Sequence, residues 1–422
     1  MRRVTSLLMA LFMLLGLASG CDDDAVNYDW VEYKSSLPRD QGDLSDPAVV
    51  AQVSANNDFA VSMYLQLAAE AGGKDIIFSP ASIVWAMAMV YGGADGDLVP
   101  DLTDVFGFPA QPEGPHPALN ILDQHFDSIN SSNLKLTLVN RTFVAEQVTP
   151  EQPYLDLLAQ YYGTGMYSLP FLSDAQGATD TINQWVSDNT GGLIPELYAE
   201  PLDVSTKSVL VNAIYFKGKW VTSFDKSKTA PGFFMLRDGS GTQVELMRAE
   251  GITLKYMDDG VQTIASLPYK GDDTEMIIVM PAAGTFDTFE LGLTATDLNI
   301  YALGLDAAAP HHDVTLVMPK FTAETRANLV DMLISMGVEA LSTNNYSLTP
   351  MLGQAYADSL INRVLHAAVI KVDESGTEAA AATGVDVNNS MPPSLHITSP
   401  FIYFIREKTS GSILFMGRFT GE

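Results

Sequence analysis

The stretch from Glu374 to Val387 constrains this chain more than any other; it reads Glu-Ser-Gly-Thr-Glu-Ala-Ala-Ala-Ala-Thr-Gly-Val-Asp-Val. Every second residue from Thr377 gives Thr377, Ala379, Ala381, Thr383, Val385 and Val387, one small and largely apolar face. Glu378 and Asp386 fall on the other face with Ala380, Ala382, Gly384 and Asn388, which is the period of a half-buried strand. Four successive alanines nevertheless favour a helix and pack almost nothing. A stretch patterned for a sheet, yet too small-sided to hold itself there, predicts a strand that joins its sheet late. An alanine-rich surface loop with chance alternation is the competing reading of the pattern alone.

The chain has 422 residues, enough for two or three average domains or a single large one. With 47% hydrophobic and 18% charged residues it is an ordinary globular chain with ample core. Its charge is unusual: 23 Lys and Arg against 51 Asp and Glu give a formal −28. Such a balance disfavours nucleic acid and anionic lipid headgroups as partners.

The N-terminus reads as a targeting segment. Arg2 and Arg3 precede an apolar run from Leu7 to Leu17, too short to span a membrane, and Ala18-Ser19-Gly20 then leads into Cys21. This resembles the lipobox of bacterial lipoproteins, which implies a signal peptide over 1–20 and lipidation of Cys21. Cys21 is the only cysteine, so no internal disulfide competes for its thiol. The implied location is the cell envelope or surface, reached across the inner membrane; an ordinary signal peptide would instead release the protein to the extracellular space. Residues 21–51 are acidic, polar and without clear periodicity, and are expected to form a flexible tether reaching several tens of ångströms.

Along the rest of the chain, Asp58 to Ala71, Thr181 to Asn189 and Ala323 to Met336 read as helices. The last is the clearest, because Leu329, Met332, Leu333 and Met336 repeat at three and four before Gly337. Strands are expected at Ser208–Phe216, Thr274–Met280 and Val314–Met318, with a hairpin of Phe401–Ile405 and Ile413–Phe419 around Thr409-Ser410-Gly411. Asn212 interrupts its apolar strand and must find hydrogen-bond partners if buried. Long strands with separate helices predict an α+β protein.

No catalytic constellation stands out. The chain lacks a Gly-x-Ser-x-Gly elbow, a His-Glu-x-x-His helix, a phosphate-binding glycine loop and a paired CxxC. Adjacent His311 and His312 have no acidic or cysteine partners at ligand spacing, so they read as surface polar residues rather than a metal site. No cofactor and no metal are expected, and the chain does not read as an enzyme.

A series of motifs resembles the serpins, the serine protease inhibitor family. His366-Ala-Ala-Val-Ile-Lys-Val-Asp-Glu-Ser-Gly-Thr-Glu-Ala-Ala-Ala-Ala resembles their hinge, and Pro392-Pro393, Ser399-Pro400-Phe401 and Phe415-Met416-Gly417-Arg418 resemble their C-terminal region. Upstream stand Ile76-Ile-Phe-Ser79-Pro80-Ala-Ser82-Ile, then Asn183 with Thr190-Gly-Gly192-Leu-Ile194. Val211-Asn212-Ala-Ile-Tyr-Phe-Lys217-Gly218-Lys-Trp220 and Met318-Pro319-Lys320-Phe321 complete the set. They run in family order from about Asn56 to the C-terminus. Asp75 stands where the family usually has Asn, and Thr398-Ser399 replaces the usual polar and basic pair.

The resemblance implies a serpin domain over 52–422: a large five-stranded mixed central sheet, further sheets, eight to nine helices and an exposed loop at about 376–397. It implies a monomeric suicide inhibitor that traps a serine protease covalently by inserting the cleaved loop into the sheet. Glu374, Gly376, Thr377, Ala379, Ala380, Ala381, Ala382 and Thr383 would form the hinge. Lys320, Trp220 and Glu374 would meet where the sheet opens, with Ser79, Ser82, Asn212 and His366 clustered beneath its centre. The family spacing puts the bait at Asn389, Ser390 or Met391, with Asn389–Ser390 and Ser390–Met391 as joint candidates for the scissile bond. No basic residue lies between Gly376 and Leu395, so elastase-like or subtilisin-like enzymes are the expected targets. Residues 117–134, the counterpart of a heparin-binding helix, contain no Lys or Arg, so no polyanion cofactor is expected. If a dozen inserted residues each add about 1 kcal/mol, insertion gains on the order of 10 kcal/mol, comparable to the stability of a whole domain. The alternative within the family is a non-inhibitory binding or carrier protein.

Overall fold

The structure, a computed structural model, describes residues 30–377 and 393–422. The expected signal peptide, Cys21, Ala379, Ala380, Ala381, Ala382, Thr383, Asn389, Ser390 and Met391 lie outside the described residues.

Helix α1 (Pro47–Ala71) opens where Asp46 accepts a hydrogen bond from the Ala48 amide and Pro47 occupies the first turn, both strong start signals. It begins eleven residues before the expected Asp58. Gln52 and Asn56, which break the apolar period there, are themselves buried, with Gln52 Nε2 donating to Asn56 Oδ1 at 2.9 Å. Helix α2 (Pro80–Gly93) is apolar on every side and buried almost throughout, so it runs through the core. Ser79 caps it by accepting from the Ser82 amide at 3.1 Å. Helices α3 (His116–Ser128) and α4 (Ala175–Asn189) flank the sheet region, α4 starting six residues earlier than expected at its Asp174 cap. Eleven α-helical segments occur among the described residues; the excess over eight to nine is short, since Ala340–Thr343 and Thr349–Leu352 are single turns.

Five strands form one sheet: β1 (Val31–Tyr33), β2 (Leu134–Ala145), β3 (Met166–Leu169), β4 (Ser208–Lys219) and, later in the chain, the two-residue strand Gly376–Thr377. Their order is β1, β3, β2, β4, then Gly376–Thr377. Beside β4 runs a separate antiparallel pair, β5 (Phe321–Asn328) with β6 (Leu365–Val372). Among the described residues no ladder joins β4 to β6. The central sheet is therefore split. A nine-stranded sheet behind it holds Thr274–Pro281, His311–Pro319 and the hairpin Phe401–Glu407 with Ile413–Phe419, each within two residues of its expected limits except that His311 precedes the expected Val314 by three. The architecture is α+β.

Two expectations fail. The helix expected over Ala323–Met336 is half strand. Helix α5 covers only Val330–Met336, while Phe321 to Asn328 alternates buried Phe321 and Ala323 with exposed Thr322, Glu324 and Arg326 and pairs along its whole length with β6. The apolar repeat at three and four all lies from Leu329 onward, so the helical period was extended over a period of two. The tether expected over 21–51 fails from Trp30 onward. From Trp30 the chain is docked on the body: β1 pairs with β3, and Arg39 bonds Asn120 and forms an ion pair with Asp123 on α3.

Candidate functional site: the hinge, the opening and the cluster beneath it

Strand β6 climbs to Val372, and residues 373–376 reverse the chain. Asp373 and Gly376 exchange backbone hydrogen bonds at 2.9 and 3.2 Å, while the Ser375 amide and hydroxyl both donate to Asp373 Oδ1. The chain then turns down beside β4, pairing Gly376 with Lys219 and Thr377 with Gly218. Gly376 has φ +145°, and a Cβ there would lie 2.1 Å from the Gly218 carbonyl oxygen, so only glycine fits. Two residues of the segment after β6 already occupy the top of the gap between β4 and β6.

Glu374, Lys320 and Trp220 meet at this opening. The buried Glu374 carboxylate accepts from Lys320 Nζ at 3.0 Å and from Thr229 Oγ1 at 2.8 Å. Desolvation pushes its carboxyl up. Hydrogen bonds from its own amide, Lys320 and Thr229, with the Lys320 charge, outweigh that and hold it below the ordinary glutamate range. The Trp220 amide donates to the Ser375 carbonyl at 3.0 Å, its indole Nε1 donates to the Asp373 carbonyl at 3.1 Å, and the Phe224 amide donates to the Glu374 carbonyl at 2.7 Å. Trp220 stacks on Tyr269 with centroids 4.5 Å apart.

Beneath the sheet centre, Ser79 and Ser82 on the first turn of α2 hold the two sides of the gap. Asn212 on β4 donates through Nδ2 to the Ser82 carbonyl at 2.6 Å and to Asn140 Oδ1 on β2, and accepts from the Ser82 hydroxyl. His366 on β6 accepts through Nε2 from the Ser79 amide at 3.2 Å, and the Ser79 hydroxyl donates to the Leu414 carbonyl at 2.7 Å. A backbone amide can only donate, so the neutral ring carries its proton on Nδ1. That nitrogen is buried and has no hydrogen-bond partner among the described residues. Burial lowers the His366 pKa to about 4.

Sequence reasoning missed Thr229, Tyr269 and Asn140. Asn140 carried the same signal as Asn212, an asparagine interrupting an apolar strand, and the ladder sets the two directly opposite. Thr229 and Tyr269 had no local signal, because each meets its partner through long-range chain placement. Asp75 accepts from the Thr420 amide and hydroxyl. His312 Nδ1 lies 3.1 Å from Thr253 Oγ1 and His311 packs on Tyr256. Among the described residues no group of His, Cys, Asp and Glu gathers to hold a metal ion.

The structure brings together a split sheet, a glycine hinge folded into the top of its gap and a polar cluster at its base. The family model described as Serpin (serine protease inhibitor) matches residues 54–421, and the chain belongs to the serpin family. It is similar to an uncharacterized serpin-like protein of Methanosarcina mazei, 31% identical over 99% of this chain and 98% of that one. It is also similar to the leukocyte elastase inhibitor of Homo sapiens, 33% identical over 87% of this chain and 98% of that protein. Among solved structures it resembles thyroxine-binding globulin in complex with thyroxine, with TM-score 0.77 and 26% identity over 87% of this chain and 98% of that one. The family thus includes both an elastase inhibitor and a hormone-binding globulin.

Proposed function

We propose that this chain is a single-use, lipid-anchored inhibitor of serine endopeptidases. The observation that carries the reading is the Gly376–Thr377 pair lying against β4 in a sheet that, among the described residues, has no ladder across to β6. Beyond Glu378, which alternation places on the outer face, the inward residues Ala379, Ala381 and Thr383 are small enough to follow into the gap. The protease serine attacks the carbonyl carbon of Asn389 or Ser390, an ester bond forms there, and the peptide bond breaks to leave a new amino terminus at Ser390 or Met391. The freed strand then extends down the gap and carries the attached protease toward the far end of β4 before water reaches the ester.

Elastase-like or subtilisin-like targets fit a bait with no basic side chain. Lipidation at Cys21 holds the protein at the cell envelope or surface. The inhibitor works as a monomer and without a polyanion, since α3 contains no Lys or Arg.

Incubation with subtilisin and with pancreatic elastase, followed by denaturing electrophoresis, tests the reading. An SDS-stable band of summed mass is expected, with a released peptide beginning at Ser390 or Met391 by mass spectrometry. Clean cleavage with undiminished protease activity would instead assign the chain to the binding and carrier members.

A further inference from the structure

The chain enters its body at the pole farthest from the hinge. The β2–β4 ladder runs from Leu134 opposite Gly218, beside the hinge, to Val144 opposite Ser208, about 33 Å away at the rise of a strand. Strand β3 aligns with β2 only at that far end, from Thr142 to Ala145, and β1 pairs with β3 so that Val31 faces Ser168. Trp30 is fastened there too, 5.0 Å from the Tyr167 ring and 5.0 Å beneath the Arg141 guanidinium. Eight residues separate Trp30 from Cys21, a reach of at most about 32 Å.

The same pole exposes large apolar side chains from three separate segments. Val31, Leu172 and Val204 are 61, 58 and 53% exposed. Leu172 follows β3, and its amide donates to Glu146 just beyond the end of β2. Val204 lies in the turn before β4, where the Lys207 carbonyl accepts from the Ala145 amide at 3.0 Å. Burying such groups in an interface is favourable, and a short covalent leash makes the contact intramolecular.

We propose that this pole lies against a lipid surface, with Val31, Leu172 and Val204 in the interfacial layer and the hinge directed away from it. The orientation rests on the anchoring of Cys21 proposed above. Glu146, Asp174 and Asp203 crowd the same end, so zwitterionic rather than anionic headgroups fit it. This contact belongs to the uncleaved inhibitor, which offers its bait on the open side; a protease carried down the gap would displace the pole from the lipid.

The full chain, expressed in a bacterial host with its own leader, is taken from the membrane fraction into phosphatidylcholine vesicles, and its amide hydrogen exchange is compared with that of soluble Cys21→Ser. Exchange should slow several-fold at 170–173 and 203–206 and stay unchanged at 221–228. The Leu172→Ser, Val204→Ser double variant should lose that protection while remaining bound. Equal exchange at the pole, protection at 221–228 instead, or protection that survives the double variant would each overturn the orientation while leaving the anchor intact. Wild type recovered only in the soluble fraction would overturn both. Inhibition is scored separately by the SDS-stable band, which this orientation does not require.

Discussion

His366 and Asn212 face the gap from opposite sides, yet each is hydrogen-bonded to the first turn of α2 rather than to the other. His366 takes the Ser79 amide at 3.2 Å and Asn212 gives to the Ser82 carbonyl at 2.6 Å. One helix terminus therefore pins both edges of the split sheet. Parting the strands further need not break a bond running directly between them, which suits a sheet that opens without unfolding.

The first prediction concerns pH. Protonating His366 requires a proton on the nitrogen that accepts from Ser79, and burial already holds its pKa at about 4 against 6.5 in the unfolded chain. The unfolded chain therefore binds the proton first, and stability is lost progressively as pH falls from 6.5 towards 4, by about 3 kcal/mol for this group. Calorimetry from pH 7 to 4.5 should show a falling midpoint, and His366→Asn should flatten the slope. An unchanged slope in the variant would contradict this role.

The second concerns the hinge face. Thr377→Arg or Ala379→Arg would bring a charge into the gap at a cost of several kcal/mol if it stays unpaired. The bait should remain cleavable while insertion slows, converting inhibitor into substrate. Retention of the covalent complex at wild-type stoichiometry would refute the assignment of the inward face.

The third concerns Gly376. Its φ of +145° and the 2.1 Å approach of a Cβ to the Gly218 carbonyl oxygen leave alanine no place. Gly376→Ala should displace the pair from β4 at a cost of about 1 to 3 kcal/mol. Faster amide exchange at 217–219 and easier proteolysis just after Ser375 are the expected signs, and wild-type exchange there would count against the strained hinge.

The fourth concerns metastability. Cleaving the loop with a non-target protease lets a full strand complete ladders with β4 and β6, a gain on the order of 10 kcal/mol. The thermal midpoint should rise by roughly ten to fifteen degrees, at little more than about 1 °C per kcal/mol for a domain of this size. An unmoved midpoint would sink insertion.

Much of the fold was legible in the residues. The apolar runs that became β4 and the C-terminal hairpin and the Gly stop after Met336 are local patterns, and local periods report which face of an element is buried. The same reasoning ended α4 correctly at Asn189 but started it late, because the Asp174 cap precedes the apolar face. It misread Ala323 to Asn328, where a short alternating segment adjoins a stronger helical one. The family motifs brought Glu374, Lys320 and Trp220 to one opening.

What the sequence determined by itself was therefore the period of each strong element and the composition of the hinge, both properties of neighbouring residues. Only the tertiary structure decided that Val31–Tyr33 docks as an edge strand and that Arg39 and Asp40 fasten to α3 instead of hanging free. It also decided that Thr229 and Tyr269 complete the opening, and that His366 and Asn212 are held by one helix rather than by each other. Those facts depend on register and on partners separated by up to 287 positions, as between Ser79 and His366. Such contacts are selected by packing the whole core, and a stretch of sequence read by itself contains no term for them.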